Sequence, residues 1–354
     1  YEFGGKLANG FAPSNIANSS LTWEKTREWN LALDFGFFDN RISASIDVYD
    51  KLSNELLLPR KLPVETGWES ITANIGSVSN KGIELALNAV SFNKKNLTWK
   101  TSFTFSKNIN KIEKLYGSDE DDIGNLWFIG KPVNVNYNYV FDGIWKADEA
   151  ELAAVYGQRE GQARVKDLDG SDAIEADKDR TIIGTPDPGW TGSFATTLRY
   201  KNVDLNASLY THQGVHVYSD FHFYFTRMRD RYRNKLDVNY YMPENNVTGF
   251  RSSDEYPTPR AEGTYWDEVG YYKNASFVKV KNISLGYTFN PDLLNAMNIK
   301  SLRLYVNVLN PFVFTEYDGY DPEWAASRFG GGVSTITYQF GADVKFIVSK
   351  INSK

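Results

Sequence analysis

The sequence predicts an all-β fold, the antiparallel strands of a transmembrane β-barrel, and three observations support this prediction. Nine segments alternate apolar and polar residues with the period of two that a half-buried strand shows. Short and long connections alternate strictly between those segments. Aromatic residues make up 15% of the 354-residue chain, and tyrosine and tryptophan suit the boundary between a membrane and water.

Each predicted strand is close to the length that crosses a bilayer. Ten residues rise about 33 Å, which spans the hydrocarbon core at a tilt of about 45°. The chain has no run of about 18 apolar residues, so we expect no transmembrane helix. A half-exposed soluble sandwich would show the same alternation, and the alternation alone leaves both folds open. The nine predicted strands are 29–37, 42–48, 83–89, 97–105, 190–200, 203–209, 277–289, 302–308 and 336–346.

The connections favour the membrane barrel, because such barrels have short turns at one end and long loops at the other. A soluble sandwich has no reason for this asymmetry. The apolar strand faces are then expected to contact membrane lipid, and the long connections to lie outside the cell. These predicted outer loops are about 53–80, 108–188, 214–275 and 311–333.

The segment 133–145, "VNVNYNYVFDGIW", alternates like a strand but disturbs the strand count. A single extra crossing would reverse the direction of every later strand. We therefore place it inside the loop 108–188, as a strand extension or a local hairpin. A second crossing hidden in the same loop is the alternative.

An odd number of strands leaves two open sheet edges, and open edges do not occur in lipid. Residues 1–346 are therefore expected to form part of a larger barrel, followed by a tail at 347–354. The missing strands would come from residues before Tyr1 or from a second polypeptide.

Composition and motifs exclude several other classes of function. The net charge of −5 and the pI near 5.5 argue against nucleic acid as a partner, because phosphate binding needs a basic face. The absence of cysteine excludes disulfides, thiolate metal sites and a catalytic cysteine. We find no P-loop, no G-x-S-x-G motif and no assignable catalytic carboxylate pair, so the chain is not expected to be an enzyme.

Seven motifs carry a resemblance to a known family. Taken in order, they are similar to the barrel of SusC/RagA-type TonB-dependent outer-membrane transporters of Bacteroidetes. The motifs are "LTWEKTREWNLALDFGFFDNRISASIDVYDK" (21–51), "NIGSVSNKGIELAL" (74–87), "LTWKTSFTFSKNINKI" (97–112), "GKPVNVNYNYVFDGIW" (130–145), "DRTIIGTPDPGWTGSF" (179–194), "ASFVKVKNISLGYTF" (275–289) and "NVLNPFVFTEYDGYDPE" (307–323).

The resemblance implies that the chain is the C-terminal part of a barrel of about 22 strands that encloses a plug. It also implies a SusD-like lipoprotein lid, glycan or peptide substrates, and energy supplied by TonB. The plug, the remaining N-terminal barrel and the TonB box would lie outside this chain. The closing strand would carry Phe340 and end at Phe346, the aromatic residue that assembly requires, although 347–354 follow it.

Two alternatives to the importer remain open on the sequence. A soluble secreted β-protein that binds or cleaves glycans would share the aromatic residues and the acidity. A passive porin would share the barrel, although the motifs favour the importer.

The acidic segment 167–180, "DLDGSDAIEADKDR", is a candidate Ca²⁺ loop and the one cofactor site that the sequence suggests. Asp167, Asp169 and Ser171 occupy positions 1, 3 and 5 of such a loop, where oxygen ligands converge. Asp179 falls one place after the twelfth position. The alternative is a solvated acidic turn.

Two further segments predict short helices in the outer loops. Residues 147–157 suggest a helix with Asp148 as N-cap and Gly157 after its end. Residues 219–236 place an apolar stripe at helical spacing beside several arginines. This stripe either packs on neighbouring loops or docks a lid, since aromatic and Arg side chains are enriched at interfaces. The interface candidates are Phe221, Phe225, Arg227, Met228 and Arg231.

Aromatic residues in the outer loops are candidates for contacts with substrate or lid. Flat rings stack on sugars and anchor interfaces, and Trp266, Tyr320 and Trp324 lie in predicted loops. Packing between loops is the alternative role. Phe312 and Phe314 are expected at the outer membrane interface, where Pro311 would end the preceding strand.

Overall fold

Nine long strands dominate the computed structural model and form one antiparallel sheet. The strands follow chain order from one edge to the other, so each long strand pairs with its neighbours in sequence. The described residues are 16–116, 119–227, 234–242, 255–258, 265–294, 297–325 and 333–346, with the backbone of 2–3 and 6–7.

All nine predicted strands are present, and the fold class is confirmed. Two short strands precede them, β1 (Glu2–Phe3) and β2 (Lys6–Leu7). The strands of the large sheet are β3 (Lys25–Phe37), β4 (Ile42–Lys61), β5 (Ser70–Lys94), β6 (Leu97–Lys114), β11 (Trp190–Tyr200), β12 (Val203–Gln213), β15 (Phe277–Thr288), β16 (Ile299–Thr315) and β17 (Thr337–Phe346).

The register keeps apolar side chains on one face and polar side chains on the other. Phe194 of β11 lies opposite Phe103 of β6 and Leu209 of β12. Its neighbour Ser193 faces the other side, where its Oγ lies 2.6 Å from Oγ1 of Thr104. Because a strand repeats every two residues, this register fixes the outward face of β6, β11 and β12.

The first predicted outer loop is much shorter than the sequence suggested. β4 continues to Lys61 and β5 begins at Ser70, so the connection spans only 62–69 instead of 53–80. Outside a bilayer neither face of a strand has to be apolar, so the alternation fades while the backbone ladder continues. The other three outer loops span 115–189, 214–276 and 316–336, so each of their bounds lies within seven residues of the predicted one.

The sequence predicted that Pro311 ends its strand, and this prediction was wrong. β16 continues through it to Thr315. The pairing with β15 shifts register between Val280 and Asn282, and Asn310 adopts a left-handed φ of 52° at the irregularity. Pairing with β17 stops at Leu309, so the missing N–H of proline falls where no described ladder bond is needed.

The segment 133–145 lies within the outer loop, as the first prediction had it, and it does not cross the membrane. It forms β7 (Asn136–Tyr139) and β8 (Phe141–Ile144). β7 pairs with β10 (Arg180–Gly184), and β8 pairs with β9 (Ala163–Val165). Both pairings use strands from later in the same loop.

The outer loops also contain short helices. The first is α1 (Ala150–Val155), preceded by a 3₁₀ turn at Ala147–Glu149. Gly157 follows with a positive φ of 64°, as predicted. The predicted cap at Asp148 was wrong, because the Glu149 carboxylate accepts the Lys146 N–H at 3.0 Å instead. The others are α2 (Asp220–Thr226), α3 (Trp266–Val269) and α4 (Pro291–Leu294).

The predicted helical stripe at 219–236 is only partly helical. α2 ends at Thr226, and Arg227 is already extended. The N–H of Leu236 donates to the carbonyl of Phe225 at 2.9 Å, so these two residues lie side by side. Met228 and Arg231 lie outside the described residues. No helix in the described part of the chain is long and apolar enough to cross a membrane.

The chain divides into two compact units. The first comprises Tyr1–Leu31, Val48–Gly82 and Asn108–Val133, and its buried core includes Ile112, Leu115 and Phe128. The second comprises Ala32–Asp47, Ile83–Lys107 and Asn134–Lys354. It contains β11, β12 and β15 to β17 together with the outer-loop segments 134–189, 214–276 and 316–336.

A charged group on the polar face of the second unit links three strands. Arg303 of β16 donates two hydrogen bonds to the buried carboxylate of Asp204 on β12, at 2.9 and 2.7 Å, and one to Asp343 on β17 at 3.2 Å. Gly286 of β15 lies beneath the guanidinium, and a Cβ there would stand 2.5 Å from Arg303 Nη2. A residue without a side chain at this position therefore permits the bidentate pair.

We predict that Asp204→Asn will destabilise the full-length protein more than Asp343→Asn. The Asp204 side chain is 8% exposed and the Asp343 side chain 62%. Losing a buried partner leaves a desolvated charge and costs roughly 1–3 kcal/mol here, whereas an exposed pair contributes about 0–1 kcal/mol. The measurement is the temperature at which the unboiled protein loses its folded migration on a gel. Equal midpoints for the two variants would contradict the assignment.

Candidate functional site

The long outer loops of the second unit pack around two small apolar cores. One contains Val215, Val217, Ala275, Tyr317 and Ala325. Strand β13 (His216–Tyr218) pairs with β14 (Tyr272–Asn274) and places the first three of these residues. The loops are thus a folded layer with its own interior.

The second core joins other parts of the same loops. Tyr139, Val165 and Val269 pack together, with Ile174 and Tyr265 against them. These residues come from β7, β9 and α3 and from the loop between β9 and β10. The layer therefore connects segments that lie more than a hundred residues apart in sequence.

Trp266 occupies the centre of an aromatic cluster. Its ring lies edge-on to those of Phe141, Tyr256 and Tyr271, at centroid distances of 5.5, 5.5 and 5.9 Å. Gly270 stands beside the ring, since a Cβ there would lie 2.3 Å from its central carbons. The packing alternative therefore describes Trp266 in this structure, and a substrate contact stays a prediction.

The interface candidates on α2 also face inwards. Phe221 is 3% exposed and packs on Phe225 and Tyr320, with centroids 5.1 and 4.5 Å away. Arg227 pairs with Asp267 at 3.2 Å and lies over the ring of Phe223. These contacts match the predicted alternative in which the segment packs on neighbouring loops.

Tyr320 and Trp324 remain the exposed members of the predicted contact set. Tyr320 is 57% exposed and Trp324 46% exposed. Trp324 ends a 3₁₀ turn at Pro322–Trp324, and the Asp321 side chain caps that turn by accepting the Glu323 N–H at 3.0 Å. The two rings are thus presented by a defined backbone, which lowers the entropy cost of binding a partner.

A buried polar chain beside α2 was not predicted. The Oγ of Ser219 lies 2.8 Å from His222 Nδ1 and 2.9 Å from the Tyr317 hydroxyl. His222 Nε2 in turn lies 2.8 Å from Asp318 Oδ1, although its N–H is not aimed at that oxygen. The His222 contact, helped by Lys273, holds the pKa of Asp318 well below its usual range.

The order Ser–His–Asp is that of a hydrolytic triad, but this group cannot act as one. Ser219 is fully buried and its hydroxyl already contacts two partners. A nucleophile must reach a substrate carbonyl next to an oxyanion site, and no substrate atom can approach this oxygen. The chain of contacts instead caps α2 and fixes it against the loop 316–336.

A buried ion-pair cluster fastens the same loop to the sheet. The Lys279 ammonium, only 1% exposed, lies 2.9 Å from Asp321, 3.0 Å from Glu323 and 2.7 Å from Ser334 Oγ. Tyr210 donates to Glu323 at 2.6 Å. Burial works against the charged form of Asp321, yet hydrogen bonds from Ser334 and Lys279 bring its pKa below the ordinary value. All three donors of the ammonium are therefore satisfied.

The predicted acidic loop does bring its carboxylates together. One oxygen each from Asp167, Asp169 and Asp179 lies within 4.8 Å of the others. Ser171 does not join them, because its hydroxyl donates to the Ala173 carbonyl at 3.3 Å. Lys178 lies 3.9 Å from Asp169 and supplies a cation where a Ca²⁺ loop has an acid.

The carboxylates of this loop already organise its backbone. Asp167 accepts the N–H groups of Gly170 and Asp172 at 2.7 and 2.9 Å, and buried Asp179 accepts those of Leu168 and Glu175 at 2.7 Å. Ca²⁺ takes six to eight oxygens, so backbone carbonyls and water would have to complete the set. Calcium binding here stays a prediction.

The Lys279 ion-pair cluster and the Ser219–His222 contact were not predicted, although the sequence contains a local pattern for each. Lys279 stands on the polar side of an alternating strand, and Asp321 precedes a proline, a pattern typical of a helical turn with an N-cap. Their pairing depends on how the loop 316–336 folds back, which no spacing rule gives. The Ser219–His222 contact has a similar local signal, since Ser219 is a helix N-cap.

Comparisons with known proteins place the chain among bacterial receptors. A family model described as "TonB dependent receptor-like, beta-barrel" matches residues 3–310. TonB-dependent receptor P39 of Formosa agariphila is 32% identical over 89% of the chain and 34% of its own length. TonB-dependent receptor SusC of Bacteroides thetaiotaomicron is 30% identical over 91% of the chain and 32% of its own length.

Solved structures give the same result. The structure of the RagAB peptide transporter matches with a TM-score of 0.69 and 25% identity. The match covers 95% of this chain and 36% of that one. The chain thus spans about a third of the length of the relatives that it matches.

We predict that acid will loosen α2 through Asp318. A carboxylate whose pKa is lowered in the folded state stabilises the fold above its ordinary value, 3.8, and loses that contribution as the pH falls further. Hydrogen exchange of 219–226, corrected for intrinsic rate, should speed up severalfold in Asp318→Asn at neutral pH. Glu316→Gln on the same loop should not change it. Identical exchange in Asp318→Asn and wild type would contradict the prediction.

The acidic loop predicts weak calcium binding to the full-length protein. Such extracellular sites typically have dissociation constants on the order of 10⁻⁴–10⁻³ M, which titration calorimetry can measure. Asp169→Asn should weaken binding about tenfold, since a charged ligand is lost. Asp172→Asn, on the same loop but outside the carboxylate group, is the matched control. Unchanged calcium binding in Asp169→Asn would show that this loop is not the calcium site.

Proposed function

The chain belongs to the family of TonB-dependent receptor-like β-barrels, and on that premise we propose that it forms barrel wall and outer loops of an energy-coupled nutrient importer. It is part of a multi-pass β-barrel of the bacterial outer membrane, and its relatives are receptors and transporters, not enzymes. The imported nutrients would be glycans or peptides.

The observation that carries the proposal is the two-faced wall under a folded outer layer. Apolar side chains such as Leu285, Val306 and Phe340 form one exposed row across β15, β16 and β17. A soluble secreted glycan-binding protein would not expose so much apolar surface to water. A passive porin would not be expected to resemble TonB-dependent receptors. This chain is similar to such receptors along about nine tenths of its length.

The partners follow from the same relatives and are part of the proposal. A SusD-like lipoprotein would cover the outer mouth, and TonB would act through a plug that lies outside this chain. The exposed rings of Tyr320 and Trp324 offer a contact surface for such a lid or for the substrate, because rigid aromatic side chains make good anchors. The well-fastened loop beneath them supports that role.

The proposal predicts that the full-length protein needs detergent for extraction and co-purifies with a lipoprotein encoded in its organism. The double variant Tyr320→Ala with Trp324→Ala should reduce lipoprotein capture or uptake of the co-purified ligand about tenfold, as expected when anchor residues are lost. Tyr200→Ala, an exposed tyrosine at the short-turn end of β11, is the matched control.

Two outcomes would count against the proposal. Detergent-free solubility with intact β-structure would overturn the membrane barrel. A purified full-length protein without any lipoprotein, together with ligand uptake that does not depend on TonB, would overturn the importer and leave a porin.

A further inference from the structure

The first unit contains a groove that the function described so far does not use. It has a volume of about 1090 Å³, just above the range of about 300–1000 Å³ that is usual for ligand sites. One wall is the tip of the β4–β5 hairpin, and the other is the turn that follows β6. We call it the tip groove; its lining residues are 59–62, 64, 67–70, 116, 120–123 and 125.

The hairpin wall of the tip groove is held in a defined conformation. The N–H of Leu62 donates to the Glu69 carbonyl at 3.0 Å and closes the hairpin. A 3₁₀ turn at Val64–Thr66 ends at Gly67, whose φ of 75° suits glycine. The Thr66 hydroxyl donates to the Pro63 carbonyl at 2.7 Å. The position of Trp68 is thereby fixed.

The opposite wall is fixed by the Asp122 carboxylate. It accepts hydrogen bonds from the Tyr116 hydroxyl and from the Asn125 backbone and side chain. Burial and the neighbouring carboxylate raise the pKa of Tyr116 to about 12, so its hydroxyl stays a donor at neutral pH. Asp121 accepts the Ile129 N–H at 2.7 Å. Hydrogen bonds within the chain thus hold both walls in defined conformations.

Charges of both signs line this preformed space. Arg60 and Lys61 stand at the end of β4, and Glu120 stands on the opposite wall. Glu69 adds a carboxylate beside Trp68. Lys61 helps to lower the pKa of Asp122, and among the described residues none of the four charges forms an ion pair as short as 4 Å. Charged side chains beside an aromatic ring in a groove of this size are typical of a ligand site.

We propose that the tip groove binds a short peptide through its ionised ends. The ammonium group would lie between the Trp68 ring and the carboxylates of Glu69 and Glu120, where cation–π attraction and charge act together. The terminal carboxylate would pair with Arg60 and Lys61. The inference rests on the proposed function and deepens it, because it names peptides as the substrate class.

A neutral oligosaccharide explains fewer of these features. It would stack on Trp68, but it would form no ion pair with Arg60, Glu69 or Glu120. An acidic polymer would be repelled by the four carboxylates of Glu69, Glu120, Asp121 and Asp122. Only a ligand with both charges, and an ammonium in particular, satisfies both walls.

The test is calorimetric binding of tetra-alanine to the full-length protein in detergent. Glu120→Gln should weaken binding about tenfold, the loss of one charge-assisted contact. The same variant should have no effect on tetra-alanine with an acetylated amino terminus, since that peptide has no ammonium. The double variant Arg60→Ala with Lys61→Ala should also weaken the binding of tetra-alanine, because it removes the partners of the terminal carboxylate. It should have no effect on the binding of tetra-alanine whose carboxyl terminus is amidated.

Matched controls separate this site from general changes in charge. Glu65→Gln lies on the same hairpin tip but does not line the groove, and Lys94→Ala with Lys95→Ala lies at the other end of β5. Both should leave binding unchanged. Maltotriose binding that depends on Trp68 but not on the charges would overturn the peptide assignment.

The outcome is also distinguishable from failure of the importer itself. If peptide uptake and lipoprotein capture persist while the groove variants bind tetra-alanine like wild type, the groove is not the site and the importer stands. If uptake and capture are absent as well, the proposed function fails. Loss of binding in the groove variants with normal lipoprotein capture supports the inference.

Discussion

The need to pair every backbone amide in lipid governs this structure. Hydrocarbon offers no hydrogen-bond partner, so a strand that crosses it must have a neighbour on each side within the completed barrel. The long ladders from β3 to β17 answer that need, and the register they impose decides which side chains meet lipid. The Arg303–Asp204 pair on the polar face then adds a cross-strand bond that lipid would not permit.

Above the membrane this constraint disappears, and side chains take over the organisation. The described strands of the outer loops are short, and buried charges and hydroxyl groups hold these loops in place. Lys279 binds one loop to the sheet, and Ser219 with His222 binds α2 to the same loop. Polar groups in such places are costly unless fully partnered, so each network selects one arrangement of its loops. Rigid loops can in turn present exposed rings.

The sequence predicted the strands well because lipid enforces a local rule. Alternation along 190–200 or 277–289 reports on each residue separately, and the structure confirms both strands. Prediction weakened where that rule stops applying, as in the ends of β4 and β5. It failed to find Lys279 with Asp321, because partners forty residues apart are joined by loop folding. The acidic loop lies between these cases, since its three carboxylates lie together in the structure while the Ser171 hydroxyl bonds to the backbone, and calcium binding stays a prediction.

Pro311 has a consequence for how the chain avoids wrong partners before it reaches the membrane. Between Leu309 and Thr315, β16 extends past the end of its pairing with β17. That stretch carries Phe312 and Phe314 and would be a good template for a strand of another molecule. Proline supplies no N–H to such an intruder. Pro311, which lies just beyond the end of the ladder with β17, therefore makes this edge a poorer template for aggregation.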